Sequence, residues 1–310
     1  MTERKTLTVT LETVTPLFLG GAEPRGTPEL RPPAFRGALR YWLRAALGGV
    51  IGDNNLEGLH KLESAVFGST DSGSPIQLRL HGNGHPRESN EKVLPHKEGR
   101  QAAPRNAFSS GQTVQLSLSQ FRSDDETIWR AVCSALNLTL TFGGVGLRSR
   151  RGHGTLRVVQ SSDLMVVPLT PTTLGDWKQH LQQVTRGAVL SARGLAAGRN
   201  VHCTGLPQDE ARYPCATSKG LIHLCDLQAT SAMAAVTKFM ESVPKLRAFG
   251  DSNPRQASPL WVRPIQLDER FGLLLTVLVS SFKGANYETV RNFLEEKYKG
   301  DGITVEGWNA

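Results

Sequence analysis

The sequence predicts an α+β protein built from two domains with antiparallel sheets. The chain has 310 residues, of which 39% are hydrophobic, and this is enough to bury the cores of roughly two ordinary domains. Segments that alternate apolar and polar residues, as half-buried strands do, are interspersed with segments of helical spacing. We expect one domain over residues 1–162 and a second over residues 163–310.

Four strands and two helices are predicted in the first half, in the order βαββαβ. They lie at residues 7–14, 35–47, 76–80, 113–121, 124–138 and 155–160. This is the order of the ferredoxin-like unit, in which two helices cover one face of a four-stranded antiparallel sheet. A polar insertion at residues 82–111, rich in Gly, Pro, His and charges of both signs, interrupts the unit. We interpret the insertion as either functional or disordered.

The second half repeats the pattern more weakly. Helices are predicted at residues 174–190, 232–246 and 287–298, and strands at residues 221–227, 260–267, 273–282 and 303–306. The predicted fold class is therefore α+β, with two ferredoxin-like (RRM-like) βαββαβ domains. The longest apolar run, residues 273–279, predicts a buried strand because it is far shorter than the roughly 20 residues that cross a bilayer.

The charge balance indicates an acidic partner. The net charge is +8 and the isoelectric point is about 9.5, and nucleic acid is the leading candidate for such a partner. The four cysteines form no Cys-x-x-Cys pair, and the amino-terminal residues lack the apolar block of a signal peptide. We therefore expect a cytoplasmic protein that does not associate with membranes.

The most distinctive segment is the glycine–arginine loop, residues 144–154, with the sequence GVGLRSRRGHG. Because glycine permits positive φ and close backbone approach, the loop is predicted to present bare amides and guanidinium groups to phosphate. A solvated arginine-rich turn is the alternative, but the absence of acids favours binding. The candidate RNA-binding residues of the loop are Gly144, Gly146, Arg148, Arg150, Arg151, Gly152, His153 and Gly154.

A second basic group lies on the first predicted helix. Arg36, Arg40 and Arg44 are spaced by four residues, so they share a helix face within an arc of about 80°. No acid occurs between Glu29 and Asp53, whereas a purely structural helix usually carries glutamate at i,i+4. The face is either a solvated basic surface or a contact for phosphates, and the missing acids favour the contact.

Further basic residues lie in the second half. Residues 177–208 contain no Asp or Glu but include Arg193, and Lys219 follows them. Each of these residues alone is more commonly solvated than bound. Several basic patches over both halves suit a long strand of nucleic acid better than one compact phosphate ligand.

Signs of catalysis are few. The chain has no phosphate-binding loop of the form GxxxxGK[ST] and no HExxH motif. His153 is a candidate general base for RNA cleavage, but it has no evident partner in the sequence. Two histidines and three cysteines between residues 202 and 225 match no familiar zinc spacing, so buried cysteines and unrelated histidines are the favoured interpretation. We expect no catalytic residue, metal or cofactor.

Several motifs together carry a family resemblance. The glycine–arginine loop resembles the glycine-rich motif of the RAMP superfamily of CRISPR-associated proteins, although His153 stands where an apolar residue is usual. The segments TPLFLGG (15–21), ELRPP (29–33), RGALRYWLR (36–44) and RSRRG (148–152) are similar to those of the first subunits of the Cmr complex. That complex is the type III-B RNA-guided effector. The similarity is strong over residues 8–156 and thin afterwards.

The resemblance implies a paired ferredoxin-like fold and adds Arg31 of the second motif to the RNA-binding candidates. It also implies a noncatalytic subunit that contacts the 3′ part of the CRISPR guide RNA and the target RNA, beside other RAMP subunits, in antiviral defence. Two alternatives stay open. One is a metal-independent RAMP endoribonuclease that processes the guide precursor with a histidine base, and the other is an RNA-binding protein that works outside any complex.

Overall fold

The structure is a computed structural model, and it describes residues 5–308 apart from residues 24, 83–86, 122, 167, 169–170, 206–210, 254 and 283–284. The elements of the first half are β1 (Thr6–Thr13), α1 (Pro32–Ile51), α2 (Leu56–Phe67), β2 (Ile76–Gly82), β3 (Glu88–Glu91), β4 (Arg105–Phe108), β5 (Thr113–Gln120), α3 (Glu126–Phe142) and β6 (Leu156–Ser161). The elements of the second half are α4 (Leu174–Ala197), β7 (Leu221–Ala229), α5 (Ala232–Ser242), β8 (Asp251–Ser252), β9 (Arg255–Gln256), β10 (Leu260–Leu267), β11 (Arg270–Val277), β12 (Ser281–Phe282), β13 (Ala285–Asn286), α6 (Tyr287–Lys297) and β14 (Gly302–Thr304).

The first sheet has the strand order β2-β5-β1-β6, and every neighbouring pair is antiparallel. The alternating pattern of β1 explains how the sheet is buried. Leu7, Val9 and Leu11 are fully buried against α1 and α3, whereas the residues between them point to the opposite, more exposed face. This arrangement of four strands and two covering helices is the ferredoxin-like unit predicted for the first half.

The second sheet repeats the same topology. Its order is β10-β11-β7-β14, again antiparallel throughout. α5 connects the first and second strands of this unit, and α6 connects the third and fourth. The prediction of two ferredoxin-like units is therefore confirmed, with α4 lying between them in the chain.

The two sheets enclose α1 and α3. In β11, Leu273 belongs to the core formed with α5 and α6, whereas Leu274 belongs to a core shared with Trp42 of α1. The rings of Trp42 and Trp261 in that second core are 5.1 Å apart between centroids. Because both faces of the second sheet are covered, β11 is apolar on both sides, which explains the continuous hydrophobic run in the sequence.

One helix near the site was not predicted. The sequence analysis assigned no element to residues 52–75, whereas the structure places α2 there. The Asn55 side chain caps the helix by accepting a hydrogen bond from the backbone N–H of Gly58 at 2.9 Å, and Gly68 ends it at φ 76°. These are the usual start and stop signals of a helix. The apolar residues Leu59, Leu62 and Val66 supply its buried face.

Several boundaries differ from the prediction. The helix predicted at 232–246 ends at Ser242, and the strand predicted at 273–282 separates into β11 and the short β12. α4 continues past residue 190 to Ala197 and packs on α1 and α3. The chain division after residue 162 stays a prediction.

The insertion at residues 82–111 is ordered where the structure describes it. β3 and β4 form an antiparallel pair, and residues 83–86 lie outside the described part of the chain. The backbone N–H of Leu17 donates to the carbonyl of Phe108 at 2.9 Å, which ties the insertion to the loop after β1. Among the described residues, none of the helices combines the length and the apolar character needed to cross a membrane.

Candidate nucleic-acid interface

The glycine–arginine loop connects α3 to β6 and is anchored by its own backbone. Val145 N–H donates to the carbonyl of Gly154 at 3.0 Å, and Gly154 N–H donates to the carbonyl of Pro16 at 2.9 Å. Leu147 N–H likewise donates to the carbonyl of Phe18 at 3.0 Å. The prediction that the loop offers bare amides is thus wrong for these three groups, because one donates within the loop and two donate to the segment that follows β1.

The glycines of the loop are required by its geometry. Gly146, Gly152 and Gly154 have φ values of 87°, 82° and 62°, a region that side chains disfavour. A Cβ at Gly154 would lie 1.9 Å from the carbonyl oxygen of Val145. Gly144, Gly152 and Gly154 are buried, whereas Gly146 is exposed. The glycines therefore allow the backbone to turn, and the arginine side chains are the groups that the loop offers to a ligand.

Arg150 joins the loop to the first helix. Its guanidinium carbon lies 5.0 Å from the ring centroid of Tyr41 in α1 and 5.4 Å from that of Trp261 in β10. Its Nη1 donates to the backbone carbonyl of Ser258 at 2.6 Å. These distances are typical of cation–π contacts, and they place the loop, α1 and the second sheet at one surface.

Arg148 and Arg151 lie on the other side of the loop. Arg151 donates through Nη2 to the carbonyl of Phe249, and Arg148 has a φ of 62°. Burial and the neighbouring Arg148 and Arg150 lower the pKa of Arg151 to about 10, so it remains a cation at neutral pH. Within the described part of the chain, none of these three arginines forms an ion pair with a carboxylate.

His153 is a core residue. Its side chain is fully buried, and its ring meets the edge of Phe18 at a centroid distance of 5.1 Å. Burial lowers the pKa of His153 to about 4, although the backbone of Val93 acts in the opposite direction. A neutral, buried imidazole cannot contact RNA or remove a proton from it without rearrangement, so this side chain is not part of the exposed surface.

α2 contacts two of the three arginines of α1, Arg40 and Arg44. Glu63 of α2 lies 3.3 Å from Arg40 Nε and 3.6 Å from Arg44 Nε. Arg40 also donates to the carbonyls of Phe67 and Gly68 at the end of α2, at 3.1 and 2.6 Å. The inference that this helix face lacks acidic partners is wrong, because the acid comes from a distant part of the sequence.

Arg36 and Arg31 are differently placed. Arg36 has no hydrogen-bond or ion-pair partner among the described residues, and it is half-buried. Arg31 is exposed and donates to the carbonyl of Gly20 at 3.2 Å. Both therefore keep most of their guanidinium donors available at the start of α1.

A cleft of about 520 Å³ lies between this end of α1 and the loop. We call it the α1 cleft; its lining includes Arg31, Pro33, Arg105, Asn106 and Gly146. The first turn of α1 carries no acid and no side-chain cap, so the positive end of the helix dipole is uncompensated there. Arg105, from the insertion, was missed by the sequence analysis, because nothing in the local pattern places a hairpin strand beside the loop.

The second cleft, of about 430 Å³, lies on the Arg148 side of the loop. We call it the basic cleft; its lining includes His96, Arg148, Arg151, Lys245 and Arg247. In the sequence, Lys245 and Arg247 precede a segment with Gly and Pro at residues 249–254. The contribution of His96 from the insertion has no sequence signal.

The remaining candidates lie elsewhere. Arg193 is exposed on α4 and Lys219 is exposed in the turn before β7, and neither lines the two clefts. Among the described residues, no group of three or more His, Cys, Asp or Glu side chains is arranged to hold a metal ion. Cys215 and Cys225 are buried and Cys203 is exposed.

The sequence has relatives of known name. The family model described as the RAMP superfamily matches residues 10–157. The "CRISPR system Cmr subunit Cmr1-2" of Pyrococcus furiosus is 31% identical over 185 residues, which cover 50% of this chain and 96% of that protein. The "CRISPR system Cmr subunit Cmr1-1" of the same organism is 26% identical over 208 residues, covering 62% of this chain but only 60% of the relative.

Solved structures share the fold. The crystal structure of Cmr1 from Pyrococcus furiosus in its apo form has a TM-score of 0.70 and 18% identity, covering 98% of this chain and 100% of that one. A chain in the cryo-EM structure of the type III-B Cmr-beta complex bound to cognate target RNA has a TM-score of 0.63 and 13% identity, with coverages of 95% and 99%.

The first ferredoxin-like unit and the glycine–arginine loop thus match the RAMP superfamily of CRISPR-associated proteins. Within that superfamily, the chain belongs to the Cmr1 family.

Proposed function

We propose that this chain is a noncatalytic RNA-binding subunit of a type III-B Cmr effector complex. In that complex it contacts the 3′ part of the CRISPR guide RNA and the opposed target RNA, beside other RAMP subunits, in cytoplasmic antiviral defence. Membership in the Cmr1 family supports the assignment to the complex. The arrangement of charge around the glycine–arginine loop supports the RNA contact.

One observation carries the proposal. Arg150 stacks on Tyr41, so the loop and α1 form a single basic surface, with the α1 cleft on one side and the basic cleft on the other. Arg148, Arg150 and Arg151 have no carboxylate partner among the described residues. A continuous surface of this kind suits a ribose-phosphate chain better than an isolated anion.

The groups offered to RNA favour recognition of shape over sequence. Guanidinium groups contact phosphate and ribose, and such contacts carry little base information. In an RNA-guided complex the guide reads the sequence by base pairing, so the protein needs only to hold the backbone. We therefore expect binding that depends on salt and depends little on the nucleotide sequence.

The noncatalytic part of the proposal rests on the buried position of His153. An endoribonuclease that used this histidine as a base would need its ring beside a ribose hydroxyl, and the ring is buried against Phe18. Incubation of the purified chain with repeat RNA and a chelator tests this point. A discrete cut that His153→Ala abolishes would contradict the noncatalytic assignment.

Site-specific crosslinking tests the RNA contact. The chain would be assembled with its partner subunits and a guide RNA that carries a photoreactive nucleotide near one end or the other. We expect the 3′-labelled guide to crosslink to peptides that contain the glycine–arginine loop or the amino-terminal turn of α1. Crosslinks to this chain only from the 5′-labelled guide would overturn the placement, and failure to copurify with any other subunit would overturn the assignment to a complex.

A further inference from the structure

The basic cleft is a second feature of the surface, and it is distinct from the stacked Arg150. Three separate segments build it: the insertion contributes Leu94 and His96, the loop contributes Arg148 and Arg151, and the segment 240–251 closes the third side. Its volume of about 430 Å³ is in the range of small-molecule sites, roughly 300–1,000 Å³. The cleft is therefore of a size for about one nucleotide and is too small for a duplex.

The charge in the cleft is strongly one-sided. Arg148, Arg151, Lys245 and Arg247 line it as cations, and Asp251 is the acidic residue in the lining. Burial, Lys97 and Arg148 hold the pKa of His96 below its usual value, and the nearby Glu241 only partly opposes them. Four cations against one lining carboxylate leave a net positive potential, which favours the binding of an anion.

Arg151 is the clearest sign of a missing partner. Its Nη2 donates to the carbonyl of Phe249, but its buried Nη1 has no hydrogen-bond partner among the residues that the structure describes. Arg148 and Arg150 both lower its pKa, so the three guanidinium groups repel one another. A buried donor on a crowded cation is costly unless an anion satisfies it.

We infer that the basic cleft binds the terminal phosphate monoester of an RNA strand, with Lys245 and Arg247 at its exposed side and Arg148 and Arg151 at its inner side. A monoester carries about 1.5 to 2 negative charges at neutral pH, against one for an internal phosphodiester. It therefore gains more from a cleft with four cations. This inference rests on the proposed RNA-binding function and adds that the protein holds a strand end.

The test compares RNAs that differ only at their ends. One internally labelled, single-stranded sequence would be prepared with a 5′ phosphate, with a 3′ phosphate, or with hydroxyls at both ends, and its binding to the full chain measured by fluorescence anisotropy. We expect one phosphorylated form to bind at least about tenfold more tightly than the hydroxyl form, as charge-assisted hydrogen bonds require. The phosphorylated form that binds more tightly identifies the end of the strand that the cleft holds.

Variants localise the effect. Lys245→Ala and Arg247→Ala change exposed side chains of the lining, and we expect each to lower the affinity for the phosphorylated RNA by a larger factor than the affinity for the hydroxyl form, so that the preference shrinks. Lys178→Ala, an exposed lysine of α4 outside the cleft lining, is the matched control and is expected to keep the preference.

The outcomes separate the two proposals. Equal affinity of the wild-type protein for all three RNAs overturns the inference about the strand end but leaves the proposed function intact. A preference that Lys245→Ala and Arg247→Ala both retain places the phosphate elsewhere and also overturns it. No measurable binding of any RNA contradicts the proposed function itself.

Discussion

Arg150 stacks on Tyr41 with its guanidinium carbon 5.0 Å from the ring centroid, although 109 positions separate the two residues in the chain. Tyr41 lies on α1 and Arg150 on the loop between α3 and β6. The contact makes one surface out of the two basic segments of the sequence. It also holds the guanidinium plane in a fixed orientation, which reduces the entropy lost when an anion binds.

We predict that Arg150→Ala weakens RNA binding for all sequences alike. If Arg150 contacts a phosphate, the slope of log affinity against log salt falls by about one unit. Arg150→Lys keeps the charge but loses the planar stack, so its affinity should lie between those of the wild type and the alanine variant. Binding isotherms at several salt concentrations measure both effects. An unchanged slope for Arg150→Ala would remove this residue from the interface.

Arg36 and Arg40 are predicted to behave differently although they lie one turn apart on α1. Arg40→Ala removes donors from the carbonyls of Phe67 and Gly68 and one partner of Glu63, so it should lower the free energy of unfolding by roughly 1–2 kcal/mol. Arg36→Ala removes no such contact among the described residues and should lower the salt slope instead.

Chemical denaturation and RNA titration of the same two variants separate these effects. Arg44→Ala serves as a comparison, because Arg44 is more exposed than Arg40 and contacts Glu63 at a longer distance. It should cost less stability than Arg40→Ala. A loss of salt slope in Arg40→Ala with unchanged stability would mean that α2 does not hold this side chain.

Gly154→Ala is predicted to disrupt the loop. The new Cβ would lie 1.9 Å from the carbonyl oxygen of Val145 at a φ of 62°, so the turn must shift, at a cost of more than about 2 kcal/mol. Gly187→Ala is the matched control, because that helical glycine has open space around its Cβ position. It should stabilise the protein by up to about 1 kcal/mol. Similar melting temperatures for the two variants would show that the loop tolerates a side chain.

His153 is predicted to make stability depend on pH. Its pKa is about 4 in the folded protein and about 6.5 in an unfolded chain. The unfolded state therefore binds more protons between these values, and the free energy of unfolding should fall as the pH drops from about 6.5 to about 4, by about 3 kcal/mol for this residue.

His153→Leu should reduce this loss, because leucine does not titrate and the site is apolar around Phe18. His180, whose pKa burial also lowers to about 4, contributes in the same pH range and should remain in the variant. Denaturant titrations at neutral and mildly acidic pH test the difference. An identical pH dependence in the wild type and His153→Leu would contradict the assignment of His153 as a buried neutral residue.

Local patterns were sufficient for most elements. The alternation of β1 and the helical spacing of α1 each follow from whether one face of the element is buried, and that information is present in neighbouring residues. α2 carries comparable signals in Asn55 and Gly68 that the sequence analysis passed over. The insertion is different, because its hairpin is held by contacts with the distant loop after β1, through backbone hydrogen bonds of Phe108 and through Val93 and Ala107, which pack on Phe18.

The candidate site could be predicted only in part. Arginine in a glycine-rich loop indicates affinity for phosphate wherever the loop lies. The order of strands and helices predicts two ferredoxin-like units in which helices cover one face of each sheet. The fate of each arginine depended on distant residues. Glu63 holds Arg40 and Arg44, Tyr41 orients Arg150, and the carbonyl of Phe249 holds Arg151.

The sequence by itself thus determined the α+β class, the ferredoxin-like order and the basic loop, because each depends on residue types at short, regular spacing, and its motifs carried the resemblance to the family. Only the tertiary structure decided that His153 is buried, that α1 and α3 lie between two sheets, and that three distant segments form the basic cleft. Burial and ion pairing depend on which surfaces pack against each other, and the local spacing of residues does not determine that packing.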